Sequence, residues 1–145
     1  LAEADIPVIA GPVLSNPTRS SDRYDQPYKN PGVMSKAGVK VALSEGGAEN
    51  IRNLPYYAGF AAAYGMGREE ALKAVTINPA EIFGVADRMG SLEVGKDATL
   101  FVSTGDPFET KSDITYVFIE GWNIPLESRQ TKLYDEFLER QPGVE

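Results

Sequence analysis

Two short apolar runs constrain this chain more than any other feature: Ile6-Pro7-Val8-Ile9-Ala10-Gly11 and Val39-Lys40-Val41-Ala42-Leu43. Between them lie a loop dense in Pro, Ser, Asp and Asn, and a segment, Pro31 to Ala37, that reads as a short helix with Pro at its first position and Gly38 at its end. Strand, crossover and strand is the grammar of a parallel sheet, because two parallel neighbours cannot be joined by a tight turn. The predicted strands are residues 7–11 and 39–43, and the fold class is α/β.

Further helical signals follow. Asn50 to Met66 carries Leu54, Tyr57, Ala58, Ala61, Ala62 and Tyr64 at helical spacing, with Pro55 tolerated in the first turn. A second helix is predicted from Arg68 to Val75, and a third, short one after Asn78-Pro79-Ala80-Glu81, where Asn78 is the expected N-cap and Glu81 the returning arm of a capping box. The period then changes. Ser91 to Val102 reads as strand, tight turn and strand, Ile114 to Glu120 as another strand turned by Gly121 into Trp122-Asn123-Ile124, and Ser128 to Arg140 as a closing helix. The opening Leu1-Ala2-Glu3-Ala4-Asp5 reads as the last turn of a helix already under way, so further residues are expected upstream.

Composition narrows the chemistry. At 145 residues the chain has the length of one ordinary domain, and no apolar run approaches the ~20 residues of a membrane-spanning helix, which predicts a soluble protein. Acidic residues outnumber basic ones 21 to 14, for a net charge of −7, and the Lys and Arg are scattered. Neither nucleic acid nor an anionic membrane surface is an expected partner. The chain has no Cys and no His, which removes disulfides, thiolate nucleophiles, imidazole bases and imidazole metal ligands at once.

Several motifs have plain readings. Gly90 to Lys96 has the spacing of a phosphate-binding loop, but Asp97 stands where the Mg²⁺-coordinating hydroxyl belongs and no strand-to-helix context surrounds it; a β-hairpin turn is predicted. Gly65-Met66-Gly67 is a helix-to-helix turn. Tyr56, Tyr57, Phe60 and Tyr64 are expected in the core. Two places point toward function. Glu45 directly follows the second strand, at the carboxyl end where parallel sheets bind ligands, and is the candidate general base. The loop over residues 15–30 is long enough for a binding loop, with Arg19, Tyr24 and Tyr28 as candidate substrate contacts beside Arg23.

In combination, Ala37-Gly38-Val39-Lys40-Val41-Ala42-Leu43, Asn53-Leu54-Pro55-Tyr56-Tyr57-Ala58-Gly59, Thr76-Ile77-Asn78-Pro79-Ala80-Glu81-Ile82-Phe83-Gly84 and Met89-Gly90-Ser91-Leu92-Glu93-Val94-Gly95-Lys96-Asp97-Ala98 closely resemble the C-terminal third of the amidohydrolase superfamily, nearest to its imidazolonepropionase-like branch. The resemblance implies a metal-dependent TIM-like (β/α)8 hydrolase barrel beside a small β-sandwich. A complete barrel needs about 250 residues, so this chain would hold only its end. Residues 1–84 would be the last strands and helices of the barrel, 85–125 the C-terminal share of the sandwich, and 126–145 a terminal helix and tail. The family's metal-binding histidines lie on earlier strands, so no metal ligand is assigned here, and a divalent ion such as zinc is implied only for the complete parent.

At the eighth strand the family usually has Gly-Thr-Asp, its Asp binding metal and taking a proton from the attacking water. Here the corresponding residues are Ser44-Glu45-Gly46. The expected activity is hydrolysis of a C–N bond in a cyclic amide, amidine or peptide-like small molecule. The alternatives are a non-catalytic binding relative on the same scaffold, or an interaction fragment whose exposed strands pair with the rest of the barrel or with another copy.

Overall fold

The computed structural model describes residues 1–140. Its first sheet has two parallel strands, β1 (Val8–Ala10) and β2 (Val41–Leu43), in the register Val8 to Val41, Ile9 to Ala42 and Ala10 to Leu43. The ladder extends beyond both ends of β2. Val8 N–H donates to the Lys40 carbonyl at 2.9 Å, and Ser44 N–H donates to the Ala10 carbonyl at 2.8 Å. At that upper end Gly11 lies so close to Ser44 that a Cβ on it would sit 1.7 Å from the Ser44 carbonyl oxygen. Only glycine fits there.

The helices cover one face of this sheet. The crossover helix α1 spans Gln26–Lys36. After β2 a 3-10 turn, Ala48–Asn53, leads into α2 (Leu54–Ala61), which continues as a π-helical turn, Ala62–Met66, and breaks at Gly65, whose φ is 113°. Then come α3 (Arg68–Val75) and α4 (Ile77–Ile82). The core consists of Val13, Val39, Val41 and Leu43 against Tyr57, Ala58, Ala61, Met66, Ala71 and Ala74. Four alanines on α2 and α3 leave little side chain between helix and strand, which lets these helices lie close to β2. All three β2 residues are buried, and alternation along the strand aims Val41 and Leu43 at this core and Ala42 at the opposite face.

Asn78 ties α4 to the strand. Because Lys40 and Ser44 use their backbone groups toward β1, the Val41 carbonyl points to the other edge of β2, where the Asn78 side-chain amide donates to it at 2.8 Å. Lys40 adds an ion pair to Glu81 at 2.8 Å. Thr76, with non-helical φ/ψ of −128° and −88°, occupies the position before α4, so the expected capping role of Asn78 is corrected: its side chain is spent on the strand, and Glu81 on Lys40.

A second sheet follows, antiparallel in the order β3 (Leu100–Ser103), β4 (Ile114–Ile119), β5 (Trp122–Ile124). The turn between β4 and β5 uses Glu120 and Gly121, with φ of 50° and 82°, the paired left-handed conformation that suits a two-residue hairpin. Arg68 joins this unit to the helices: it pairs with Asp106 at 2.6 Å and lies 5.7 Å from the centre of the ring of Phe108, whose Cβ and backbone lie against Gly59. The last helix, α5 (Arg129–Glu139), starts at a capping box in which Thr131 N–H donates to Ser128 Oγ at 3.1 Å and Ser128 N–H donates to Thr131 Oγ1 at 2.8 Å. Its Leu133, Tyr134, Phe137 and Leu138 remain exposed. The tail expected beyond it, 141–145, lies outside the described residues.

Two sequence expectations change. The crossover helix begins at Gln26, not Pro31, because Asp25 ahead of it is buried and pairs with Arg23 at 3.1 Å and with Lys29, one turn on, at 2.5 Å. Pro31 then falls inside the helix, where it and Gly32 are buried against the π-helical turn. No strand forms ahead of Gly95 and the expected hairpin is absent: Leu92 and Val94 are fully solvated and have no face to bury, while Arg88 and Asp97 close the segment through an ion pair and a backbone bond, both at 2.8 Å. Among the described residues no helix is long and apolar enough to cross a membrane.

A Cβ on Gly32 would lie 2.7 Å from the Met66 backbone nitrogen. Gly32→Ala is therefore expected to cost about 1–3 kcal/mol of stability, as overpacking does. Val94→Ala, at a fully exposed position, is expected to be neutral. Denaturant unfolding of the two variants side by side checks both outcomes.

Candidate functional site

The turn after β2 holds the candidate base. Glu45 is 8% exposed and both of its carboxylate oxygens are engaged. Oε2 accepts from Gly47 N–H at 2.8 Å, and Oε1 accepts from the Tyr57 hydroxyl of α2 at 3.1 Å. Gly46, with φ of 91°, supplies the left-handed conformation that folds the turn back, and its N–H donates to Ser44 Oγ at 3.2 Å. A buried carboxylate requires donors, and a buried phenol requires an acceptor, so Glu45 and Tyr57 answer each other's desolvation. Burial first, then the hydrogen bond to Glu45, push the Tyr57 phenol above its usual range, which keeps it protonated and donating. Parity along the strand places Glu45 with Val41 and Leu43 on the helix side, and Ser44 with Ala42 on the opposite face.

The loop expected to carry substrate contacts is shorter than the sequence suggested, ending where α1 begins at Gln26. Arg19 and Tyr24 lie on it and are exposed, whereas Tyr28 sits in the first turns of α1. Tyr28 packs edge-on against Phe60, with ring centres 5.8 Å apart, and against Tyr64, at 5.1 Å. Burial, followed by the adjacent Tyr24 phenol, pushes the Tyr64 hydroxyl upward. The structure thus gathers Tyr24 and Tyr28 around Tyr64 and places Glu45 with Tyr57. The two groups share the α2 segment but stand about two helical turns apart along it. Of the aromatic quartet expected in the core, only Tyr57 is buried, and Phe60 is 42% exposed. A cavity of about 490 Å³, lined by Tyr56, Phe60, Tyr64, Arg68, Asp106 and Phe108 among others, opens beside these rings.

Comparison with known proteins places this geometry. Residues 25–123 match the model of the amidohydrolase family. The chain belongs to that family. Within it the chain is imidazolonepropionase-like: it is 38% identical over 85 residues to the imidazolonepropionase of Shouchella clausii strain KSM-K16, an alignment covering 56% of this chain and 19% of that protein. It is 42% identical over 53 residues to the imidazolonepropionase of Thermoplasma acidophilum, covering 37% of this chain and 12% of that protein. Its fold is similar to the crystal structure of an amidohydrolase from Thermotoga maritima MSB8, with a TM-score of 0.73 and 36% identity over 85% of this chain and 32% of the other. A prolidase solved with N-methylphosphonate-L-proline is similar at a TM-score of 0.57 and 25% identity, over 70% of this chain and 27% of that one. The chain therefore spans about a fifth or less of the curated relatives it matches.

These structural neighbours make the amidohydrolase chain a mixed α/β piece from a TIM-barrel family. Amidohydrolases are generally metal-dependent, but among the described residues no three His, Cys, Asp or Glu side chains gather where they would hold an ion.

Sequence reasoning assigned Tyr57 to the core and missed its hydroxyl. The signal was available only in part: a Tyr rather than a Phe at a core position asks for a polar partner, and Glu45 is a polar residue next to a buried strand. Nothing in the sequence pairs the two.

Asp25 seats the loop on α1, and its electrostatics give a pH signature. The hydrogen bonds from Arg23 and then Lys29 hold its carboxyl at about 2, below the ordinary Asp value of about 3.9. A depressed carboxyl stabilises the fold above its unfolded pKa and loses that contribution as the pH falls toward the folded value. Asp25→Asn is expected to lower stability near pH 7, with the gap from the parent closing between about pH 4 and pH 2; unfolding curves collected across that window check it.

Proposed function

We propose that this chain is the C-terminal segment of a hydrolase that cleaves a C–N bond in a cyclic amide, amidine or peptide-like small molecule. The observation that carries the reading is the family membership together with a carboxylate at the carboxyl end of a buried parallel strand. The relatives' names support it, because imidazolonepropionases and prolidases are both hydrolases of carbon–nitrogen bonds. In this reading residues 1–84 supply the last strands and helices of a (β/α)8 barrel, 85–125 a share of a β-sandwich, and 126–145 a terminal helix and tail. The remainder of the barrel is the partner that covers β1, whose Ile9 is half exposed. A divalent ion such as zinc would be held by residues other than these.

The chemistry assigned to this segment is proton handling. Hydrolysis adds water across the bond: the carbonyl carbon gains the oxygen, the C–N bond breaks, and the nitrogen leaves with a proton. Glu45 is assigned as the acceptor of the proton released by the attacking water. Two of the roughly four lone-pair directions of its carboxylate are taken by Tyr57 and Gly47, and the rest are free to accept. Arg19, Tyr24 and Tyr28 are assigned to the substrate wall, which Asp25 seats on α1.

A second reading is favoured by the parity that puts Glu45 on the helix side of β2, and by the resemblance, which sets Gly46 against the family Asp. In it the protein binds its small molecule without turning it over, and Glu45 serves only to hold the turn. In the full-length protein, assayed on cyclic amides, amidines and dipeptides, the acceptor reading expects Glu45→Gln to lower kcat by at least about 10²-fold, the scale of general-base contributions. Turnover that is absent from the parent and appears with Gly46→Asp would instead establish the binding reading.

A further inference from the structure

We infer that Tyr57 is a positioning residue for the turn after β2, acting through its hydroxyl on Glu45. The inference rests on the reading that this turn belongs to the site. Tyr57 is 6% exposed and packs among Val41, Leu43, Ala58 and Ala61, surroundings that a phenylalanine ring would fill equally well. What the tyrosine adds is a hydroxyl that reaches Glu45 Oε1 at 3.1 Å. The other carboxylate oxygen reaches Gly47 N–H at 2.8 Å, so the carboxylate bridges α2 and the backbone of the turn. Gly46, between them, has no side chain of its own to fix its path. Its N–H is held only by Ser44 Oγ, at 3.2 Å. The other acidic group at the turn, Glu49, lies close against Gly47, its carboxylate oxygens 2.8 and 2.9 Å from where a Cβ on that glycine would sit. The bridge therefore sets where residues 45–47 sit at the end of the strand, and it does so from the helix layer.

The test uses the full-length protein and whichever cyclic amide, amidine or dipeptide it turns over. Tyr57→Phe is expected to lower kcat about tenfold to hundredfold, the loss of a hydrogen bond to a charged group, while KM stays within about twofold. Hydrogen exchange at the Gly46 and Gly47 amides should quicken, with the amides of α3 unchanged. In a Glu45→Gln background the tyrosine substitution should cost nothing more. Unchanged kcat and unchanged exchange at both glycines, or an equal loss of kcat in the Glu45→Gln background, would overturn the inference. If Glu45→Gln keeps full turnover, the proton-acceptor assignment falls, and the glycine exchange rates still decide on Tyr57. Should the phenylalanine variant not fold, Glu45→Gln weakens the same bridge from its other end and must quicken the same two amides; if it does not, the inference is wrong.

Discussion

The structure depends on β2 being buried on both of its faces and held at both of its edges. Along one edge it pairs with β1; on the other the Asn78 amide takes the Val41 carbonyl. On one face Val41 and Leu43 meet the alanines of α2 and α3. A three-residue strand contributes few hydrogen bonds of its own, so its position is determined by these neighbours. The buried carboxylate that follows it is placed with matching definition. Functional groups at the ends of parallel strands work because the strand ahead of them cannot shift, and here the means by which it is fixed can be named residue by residue.

Much of this was legible in the sequence for a specific reason: burial leaves a periodic trace. The run Val39 to Leu43 has too little polarity for a solvated segment, and the stop at Gly38 ahead of it makes it a strand. Helix α3 was legible from Arg68 to Val75 because Glu69 and Lys73 sit on one side and Ala71, Leu72 and Val75 on the other. The β4–β5 hairpin was read from Gly121. Where the reading failed, tertiary contact outweighed local chemistry. Pro31 looks like a helix start, yet it lies inside α1, because Asp25 and its two cations begin the helix a turn and a half earlier and Gly32 is needed against the π-helical turn. Asn78 looks like a cap but bonds a strand.

The candidate site was legible as a position and not as a geometry. Glu45 could be found from its place after a strand. Its partners could not, since Tyr57 is twelve residues away and nothing in the local pattern connects a helix tyrosine to a turn carboxylate. Likewise, Tyr24 and Tyr28 stood out as aromatic groups in a polar stretch, but the rings they meet belong to the end of α2. A pattern along the chain identifies which residues are unusual. Which of them meet is decided by how helices stack on the sheet, and that depends on side-chain volumes many residues apart.

Gly11 has a consequence for how such a site can change over time. With the Ser44 carbonyl filling the space of any Cβ, position 11 cannot drift to another residue without prising β1 from the turn that follows β2. The backbone at the end of the sheet is thereby frozen, while the side chains of Ser44 and Glu45 are not tied to position 11. On that fixed frame the side chains at positions 44 and 45 can be exchanged more readily than Gly46, whose φ of 91° disfavours any residue with a Cβ.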